Sequence, residues 1–239
     1  MDLKDQVVLI TGGSQGYGKA AAKAFVQAGA TVVIAARGEE KLQQAQRETG
    51  SAGYISMDVT RTEDWENKAL PVIERRFGRL DVLINNAGGG VAIAELTDQT
   101  PEQINTSIAL NLNSAIYGSR TFAPMMKRQK SGTIINVASV CAKHAWPGWS
   151  VYAAAKWGVL GFSKNLYVEL RPFGIRVSCL IPGAGATDFM KHAGECNMDM
   201  KLTAEDVAAA MLNICTLPAH VAAEEMIVWG NDQNVILCK

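Results

Sequence analysis

In "SVYAAAKWG", Tyr152 stands four residues ahead of Lys156, which sets a phenol and an amine one turn apart on a single helix face. Alone, such a pair is an ordinary feature of a helix surface. It gains a use where hydride adds to a carbonyl, because the alkoxide left behind needs a proton. A phenol with an ordinary pKa of about 10 is a poor acid–base group at neutral pH. A neighbouring ammonium favours the phenolate and lowers that pKa, so the expectation is that Lys156 tunes Tyr152 downward.

A second constellation lies near the start of the chain, in "ITGGSQGYGKA". Gly12, Gly16 and Gly18, with Ser14, Gln15 and Tyr17 between them, follow a strand-like run and open a helix-like one. Glycines there let the backbone turn tightly, approach a pyrophosphate and aim helix N–H groups at the anion. A dinucleotide fold that takes NAD places a carboxylate at the end of its second strand, about 20 residues past the glycines. Here that strand ends "IAARGEEKL", with Ala36 and then Arg37. An arginine suits a 2′-phosphate through its planar fork of donors, so NADP(H) is the expected cofactor.

Seven short apolar runs are the strand candidates: 7–11, 31–36, 53–57, 80–85, 132–139, 175–181 and 224–230. Most are apolar throughout, as strands covered on both faces are. Helical patterns fill the gaps, including 19–29, 101–129 and 203–216. This alternation predicts an α/β fold: a Rossmann-like, doubly wound parallel sheet of about seven strands with helices on both faces, in a single domain spanning 1–239. Pro71 falls inside the helical pattern 62–77 and is expected to kink or shorten it.

The 239 residues carry 23 basic and 23 acidic side chains, a balance that argues against a nucleic-acid partner and against a polybasic membrane surface. "MDLKDQVVLITGG" contains no signal-peptide core, and no apolar run approaches a membrane span. The five cysteines lack C-x-x-C spacing and read as free thiols in a reducing cytoplasm. Cys141 reads as a pocket liner rather than a nucleophile, and no metal site is expected.

The T-G-x-x-x-G-x-G spacing of the glycine loop resembles the short-chain dehydrogenase/reductase family, and further motifs agree in order and spacing. "NNAG" (Asn85 to Gly88) resembles the family's second motif, which supports the sheet and the adenosine side, and so implies Asn85, Ala87 and Gly88 at the cofactor. Asp58 and Val59 resemble the pair that brackets the adenine ring. Asn111 falls where the family carries its active-site asparagine, implied to anchor a water that links the lysine to solvent. Ser139, ending the fifth strand, is placed to hold the carbonyl oxygen, and Tyr152 with Lys156 completes the catalytic group. "PGAGAT" resembles the segment that holds the nicotinamide carboxamide, through Pro182, Gly183 and Thr187. Tyr17 departs from the small aliphatic residue usual there and reads as a packing variant. The resemblance implies an NADP-dependent oxidoreductase acting between a carbonyl and an alcohol, and a homodimer or homotetramer packed through the helices at 101–129 and 150–171.

The walls of the substrate site are expected from 88–95, 141–149 and 186–200, the last as part of a lid over 186–202. Their Trp, Met, Phe and Ala content points to an apolar or aromatic carbonyl. Lys143, His144, Lys191 and His192 keep a carboxylate-bearing substrate open, and the C-terminal stretch is similar to the NADP-dependent hydroxy-acid and serine dehydrogenase branch of the family. A non-catalytic NADP-sensing protein and a nucleotide-sugar epimerase are the readings from other classes.

Overall fold

The computed structural model describes residues 3–185 and 201–231. Seven strands form one sheet: β1 (Val7–Thr11), β2 (Thr31–Ala36), β3 (Gly53–Ser56), β4 (Val82–Asn85), β5 (Gly132–Val137), β6 (Ile175–Pro182) and β7 (Glu225–Val228). Their order is β3-β2-β1-β4-β5-β6-β7, and every pairing is parallel. Alternate residues of the same strand serve opposite cores. Val8 and Ile10 join Val32, Ile34, Val82 and Ile84 on one face, while Val7 and Leu9 join Val33, Leu83 and Ile134 on the other. That two-sided burial is why the strands are apolar at every position.

The helices are α1 (Gly16–Gln27), α2 (Glu39–Thr49), α3 (Thr62–Asp64), α4 (Leu70–Phe77), α5 (Pro101–Ile108), α6 (Ser114–Gln129), α7 (Ser150–Leu170) and α8 (Ala204–Thr216). Phe25 of α1, Leu42 of α2 and Met211 of α8 fill the first core. Ile73 of α4, Phe122 of α6 and Leu166 of α7 fill the second, around Trp65. The helical pattern at 62–77 runs on through Pro71, with a π-helical turn over Trp65–Ala69 just before it. A wider turn absorbs the missing donor and the ring clash that proline imposes. The pattern at 101–129 is likewise divided, by a π-helical turn over Ala109–Asn113 that joins α5 to α6.

Arg176 on β6 ties the far end of the molecule together. Its guanidinium donates to the carbonyls of Leu217 at 3.0 Å and Cys215 at 3.3 Å, and to the Thr133 hydroxyl at 2.9 Å. A cation there complements the negative end of α8 and fixes the turn that leads into β7. Among the described residues, no helix is long and apolar enough to cross a membrane.

Candidate active site

From β1 the chain moves outward through β2 and β3, and from β4 it moves the other way through β5, β6 and β7. The C-terminal ends of β1 and β4 therefore border a crevice, the place where open parallel sheets bind ligands. A cavity of about 780 Å³ occupies it, running from Arg37 and Lys41 at one end to Ser139, Tyr152 and Trp229 at the other.

The first end is made mainly of backbone. Gly12 has φ +66°, and a Cβ on it would stand 2.9 Å from Nδ2 of Asn86. Gly18 packs against the carbonyl of Gly12, leaving no room for a Cβ. These contacts press the start of α1 onto the end of β1, which is the geometry an incoming phosphate needs. Thr11 fastens the "NNAG" turn to this loop, since its hydroxyl accepts from the N–H of Asn86 and of Ala87, both at 3.0 Å. Arg37 and Lys41 line this end, and among the described lining residues there is no carboxylate. A glycine cradle with two cations beside it fits a dinucleotide bearing a further phosphate.

At the other end Ser139, Tyr152 and Lys156 share one wall. The Ser139 hydroxyl accepts from the N–H of Cys141 at 3.2 Å and is hydrogen-bonded to Tyr152. Lys156 Nζ donates to the Val137 carbonyl at 2.9 Å and lies 5.6 Å from the centre of the Tyr152 ring. Burial dominates both titrations. It brings Lys156 down to about 8, and it raises Tyr152 above its ordinary range, against the pull of the Ser139 hydrogen bond. Burial of the phenol works against the expected lowering of Tyr152, and the Ser139 hydrogen bond acts in its favour. Cys141 lines the same wall. Burial pushes its thiol up to about 11, which keeps it protonated and unreactive.

Of the residues expected at the site, Gly12, Ser14, Gln15, Gly16, Tyr17, Arg37, Val59, Ala87, Gly88, Ser139, Tyr152, Lys156, Pro182 and Gly183 line the cavity. Four others stand behind its wall. Gly18 is spent on the packing against Gly12. Asp58 accepts from the backbone and hydroxyl of Thr60. Asn85 is buried and donates to Asn136 at 2.8 Å and Ser119 at 3.1 Å, bracing β4 against β5 and α6. Asn111, in the second π-turn, donates to the Gly89 carbonyl at 2.9 Å and accepts from the Gly89 N–H at 3.0 Å. Its amide thus clamps the glycine-rich segment under Lys156 instead of facing the cavity. Thr187, Lys191, His192 and nearly all of the expected lid, 186–200, lie outside the described residues.

Lys143 and His144 do not line the cavity either. Lys143 pairs with Glu225 at 2.6 Å, and the His144 ring meets Trp146 and Trp229 edge-on, with centroids 6.0 and 5.9 Å away. Sequence reasoning missed Lys41, Asn86 and Trp229. Lys41 and Asn86 sit beside recognised motifs and were within reach of them, whereas nothing in the local pattern of β7 marks Trp229. Tyr17 is more than a packing variant: its hydroxyl donates to the Gly183 carbonyl at 3.5 Å and touches Gly185, so it spans from the phosphate loop to the end of β6.

The family model for short chain dehydrogenase matches residues 6–197. An uncharacterized oxidoreductase of Staphylococcus saprophyticus is 35% identical over 98% of this chain and 99% of its own. A metagenomic short-chain oxidoreductase solved in complex with NADP superposes with a TM-score of 0.84 at 30% identity, over 95% of this chain and 98% of that one. The closed form of a serine dehydrogenase complexed with NADP+ superposes with a TM-score of 0.87 at 29% identity, over 98% of each chain. With the parallel sheet, the glycine cradle and the Ser–Tyr–Lys wall already in place, these likenesses settle the family: the chain is a short-chain dehydrogenase, an oxidoreductase by descent.

Proposed function

We propose that this protein is an NADP(H)-dependent oxidoreductase that interconverts a carbonyl and an alcohol, with Tyr152 as the acid–base group. One observation carries the reading: the Ser139–Tyr152 hydroxyl pair and Lys156 share a single cavity with Arg37 and Lys41, and no carboxylate lines it among the described residues. Relatives solved with NADP or NADP+ support the same cofactor. Arg37 and Lys41 would hold its 2′-phosphate, Gly12 to Tyr17 its pyrophosphate, and Pro182 with Gly183 its nicotinamide end. Bound there, the cofactor supplies the hydride.

The chain's own residues do the rest. Ser139 and Tyr152, hydrogen-bonded to each other, present two hydroxyls to one carbonyl oxygen and fix its position. Tyr152 is held neutral by burial, so it enters as the acid and gives its proton to the developing alkoxide. Lys156, brought down to about 8, exchanges its own proton near physiological pH and restores the phenol. Asn111 is a positioning residue, holding Gly89 in place below them.

An apolar or aromatic carbonyl suits the substrate end. Three of the chain's five tryptophans, Trp146, Trp149 and Trp229, line the cavity, and Trp149 packs edge-on against Tyr152 with centroids 5.5 Å apart. The likeness to a serine dehydrogenase favours a small hydroxy acid as the second reading. Against it, Lys143 is committed to Glu225. Assembly into two or four copies through α5, α6 and α7 belongs to this reading, and Trp157 (52% exposed) and Val168 (58%) offer apolar surface on one face of α7.

The test is NADPH oxidation across aldehydes, ketones and keto acids, with NADH as control. Turnover of aryl or alkyl ketones with NADPH supports the proposal. Turnover of keto acids alone favours the second reading, and no turnover of any carbonyl defeats both.

A further inference from the structure

We infer that Trp229 is a specificity-determining residue, whose indole forms the outer wall of the substrate end and selects planar aromatic carbonyls over aliphatic ones. The inference rests on the carbonyl reading above and extends it to one residue at the far edge of the sheet. Trp229 directly follows β7, and the carbonyl of Val228 just before it accepts from the Gly183 N–H at 2.8 Å. That bond places Trp229 at the C-terminal end of the sheet beside Pro182 and Gly183, and the residue lines the same cavity as Ser139 and Tyr152.

Two further sets of contacts hold it there. Glu225, four residues earlier on β7, is gripped by Lys143 at 2.6 Å and by Lys164 of α7 at 2.5 Å. The strand is thereby pinned to the loop after β5 and to the helix that carries Tyr152 and Lys156. The His144 ring then fills the space between Trp146 and Trp229, meeting each edge-on, the arrangement ring quadrupoles prefer. Trp229 nevertheless keeps 37% of its surface exposed. A large indole held by ring contacts, partly exposed and lining a cavity, has area to offer a ligand. Its flat face favours another ring by stacking, which an alkyl chain of equal size does not match.

The test measures both binding and turnover in wild type, Trp229→Ala and Trp229→Phe. Each protein is saturated with NADP+ and titrated calorimetrically with 2-acetylnaphthalene and, separately, with 2-octanone; NADPH-dependent reduction of both ketones is then followed. Trp229→Ala should weaken 2-acetylnaphthalene by about tenfold, with Trp229→Phe within about threefold of wild type, as one aromatic contact of roughly 1.4 kcal/mol requires. Binding of 2-octanone should change less than about twofold, since only general apolar contact is lost. NADPH affinity should not move. Equal losses for both ketones, no loss for either, or a change confined to the sedimentation-derived oligomeric state overturns the inference, as does a wild type that binds neither ketone. A wild type that binds 2-acetylnaphthalene in this pattern but never reduces it upholds the role of Trp229 and defeats the carbonyl reading.

Discussion

The two ends of the cavity are built from opposite materials. At the phosphate end the surface is mostly backbone, drawn so close that Gly12 and Gly18 have no space for a Cβ. At the substrate end the surface is side chain, with Trp146, Trp149 and Trp229 arriving from the loop after β5, the approach to α7 and the edge strand. A backbone surface admits one shape and one residue type at its crowded positions. A side-chain surface admits many, because several large apolar residues cover similar area. One end is consequently rigid in its requirements and the other permissive.

Breaking the chemistry between the two ends should have the largest effect. Tyr152→Phe is expected to lower kcat by about 10²–10⁴-fold, the scale of a lost general acid, while NADPH binding measured by fluorescence titration persists. Comparable activity in that variant would remove Tyr152 from the mechanism.

At the phosphate end, Gly18→Val should abolish saturable NADPH binding, because the added side chain meets the Gly12 carbonyl. Thermal unfolding of the variant tells whether the domain still folds. A folded variant with wild-type affinity would show that the close approach of α1 to β1 is dispensable. In the same region, Ala36→Asp combined with Arg37→Ala should reverse the preference from NADPH toward NADH, read as the ratio of the two kcat/KM values. Unchanged preference would take the 2′-phosphate away from Arg37.

Lys156 offers a test in pH. In the unfolded chain a lysine keeps its proton to about 10.4, whereas burial releases it in the folded chain above about 8. Below that lower value both states are protonated, and the folded state carries the cost of a buried charge. Between the two values the unfolded state holds the extra proton, so stability rises with pH through that window. Lys156→Met removes this dependence. The variant should be inactive yet more stable than wild type at pH 7, and the gap in unfolding free energy should shrink between pH 8 and 10. The buried thiols of Cys141, Cys179 and Cys215 are common to both proteins and cancel in the difference. A gap independent of pH would mean that Lys156 is not carried into the fold as a charge.

The smallest effect belongs to the permissive end. Trp146→Phe keeps a ring against His144 and against the buried apolar cluster it packs on, and should alter stability by less than about 1.5 kcal/mol, the usual range for a conservative hydrophobic swap. A loss several times larger would make the substrate wall as demanding as the phosphate cradle.

The same contrast explains what could be read from the amino acids. Strands β1 and β2 were legible residue for residue, since apolar β-branched runs between turn signals leave little choice. The glycine loop, Ser139, Tyr152 and Lys156 could be grouped from the amino acids because backbone approach and proton chemistry each tolerate few residue types, and the fold does bring them to one cavity. Asn85 and Asn111 were placed in the right segments, but their side chains turn to neighbouring backbone and buried partners, a choice that depends on packing between distant segments. The π-turns were hidden because one extra residue per turn barely disturbs a 3.6-residue pattern. Trp229 was hidden because "EEMIVWG" reads only as one more apolar strand. Its role arises from the parallel register of β7 on β6, which no local pattern reveals.

That register has an evolutionary side. Among the described residues, β7 is an edge strand with only β6 as a neighbour, and it is anchored by ionic contacts to Glu225 and by the turn that Arg176 holds. A mutation at its tip is therefore expected to leave the packing around Tyr152 and Lys156 on α7 unchanged. The edge of the sheet is thus the place where a lineage could change the inferred substrate wall at least cost to the central strands, which are buried on both faces.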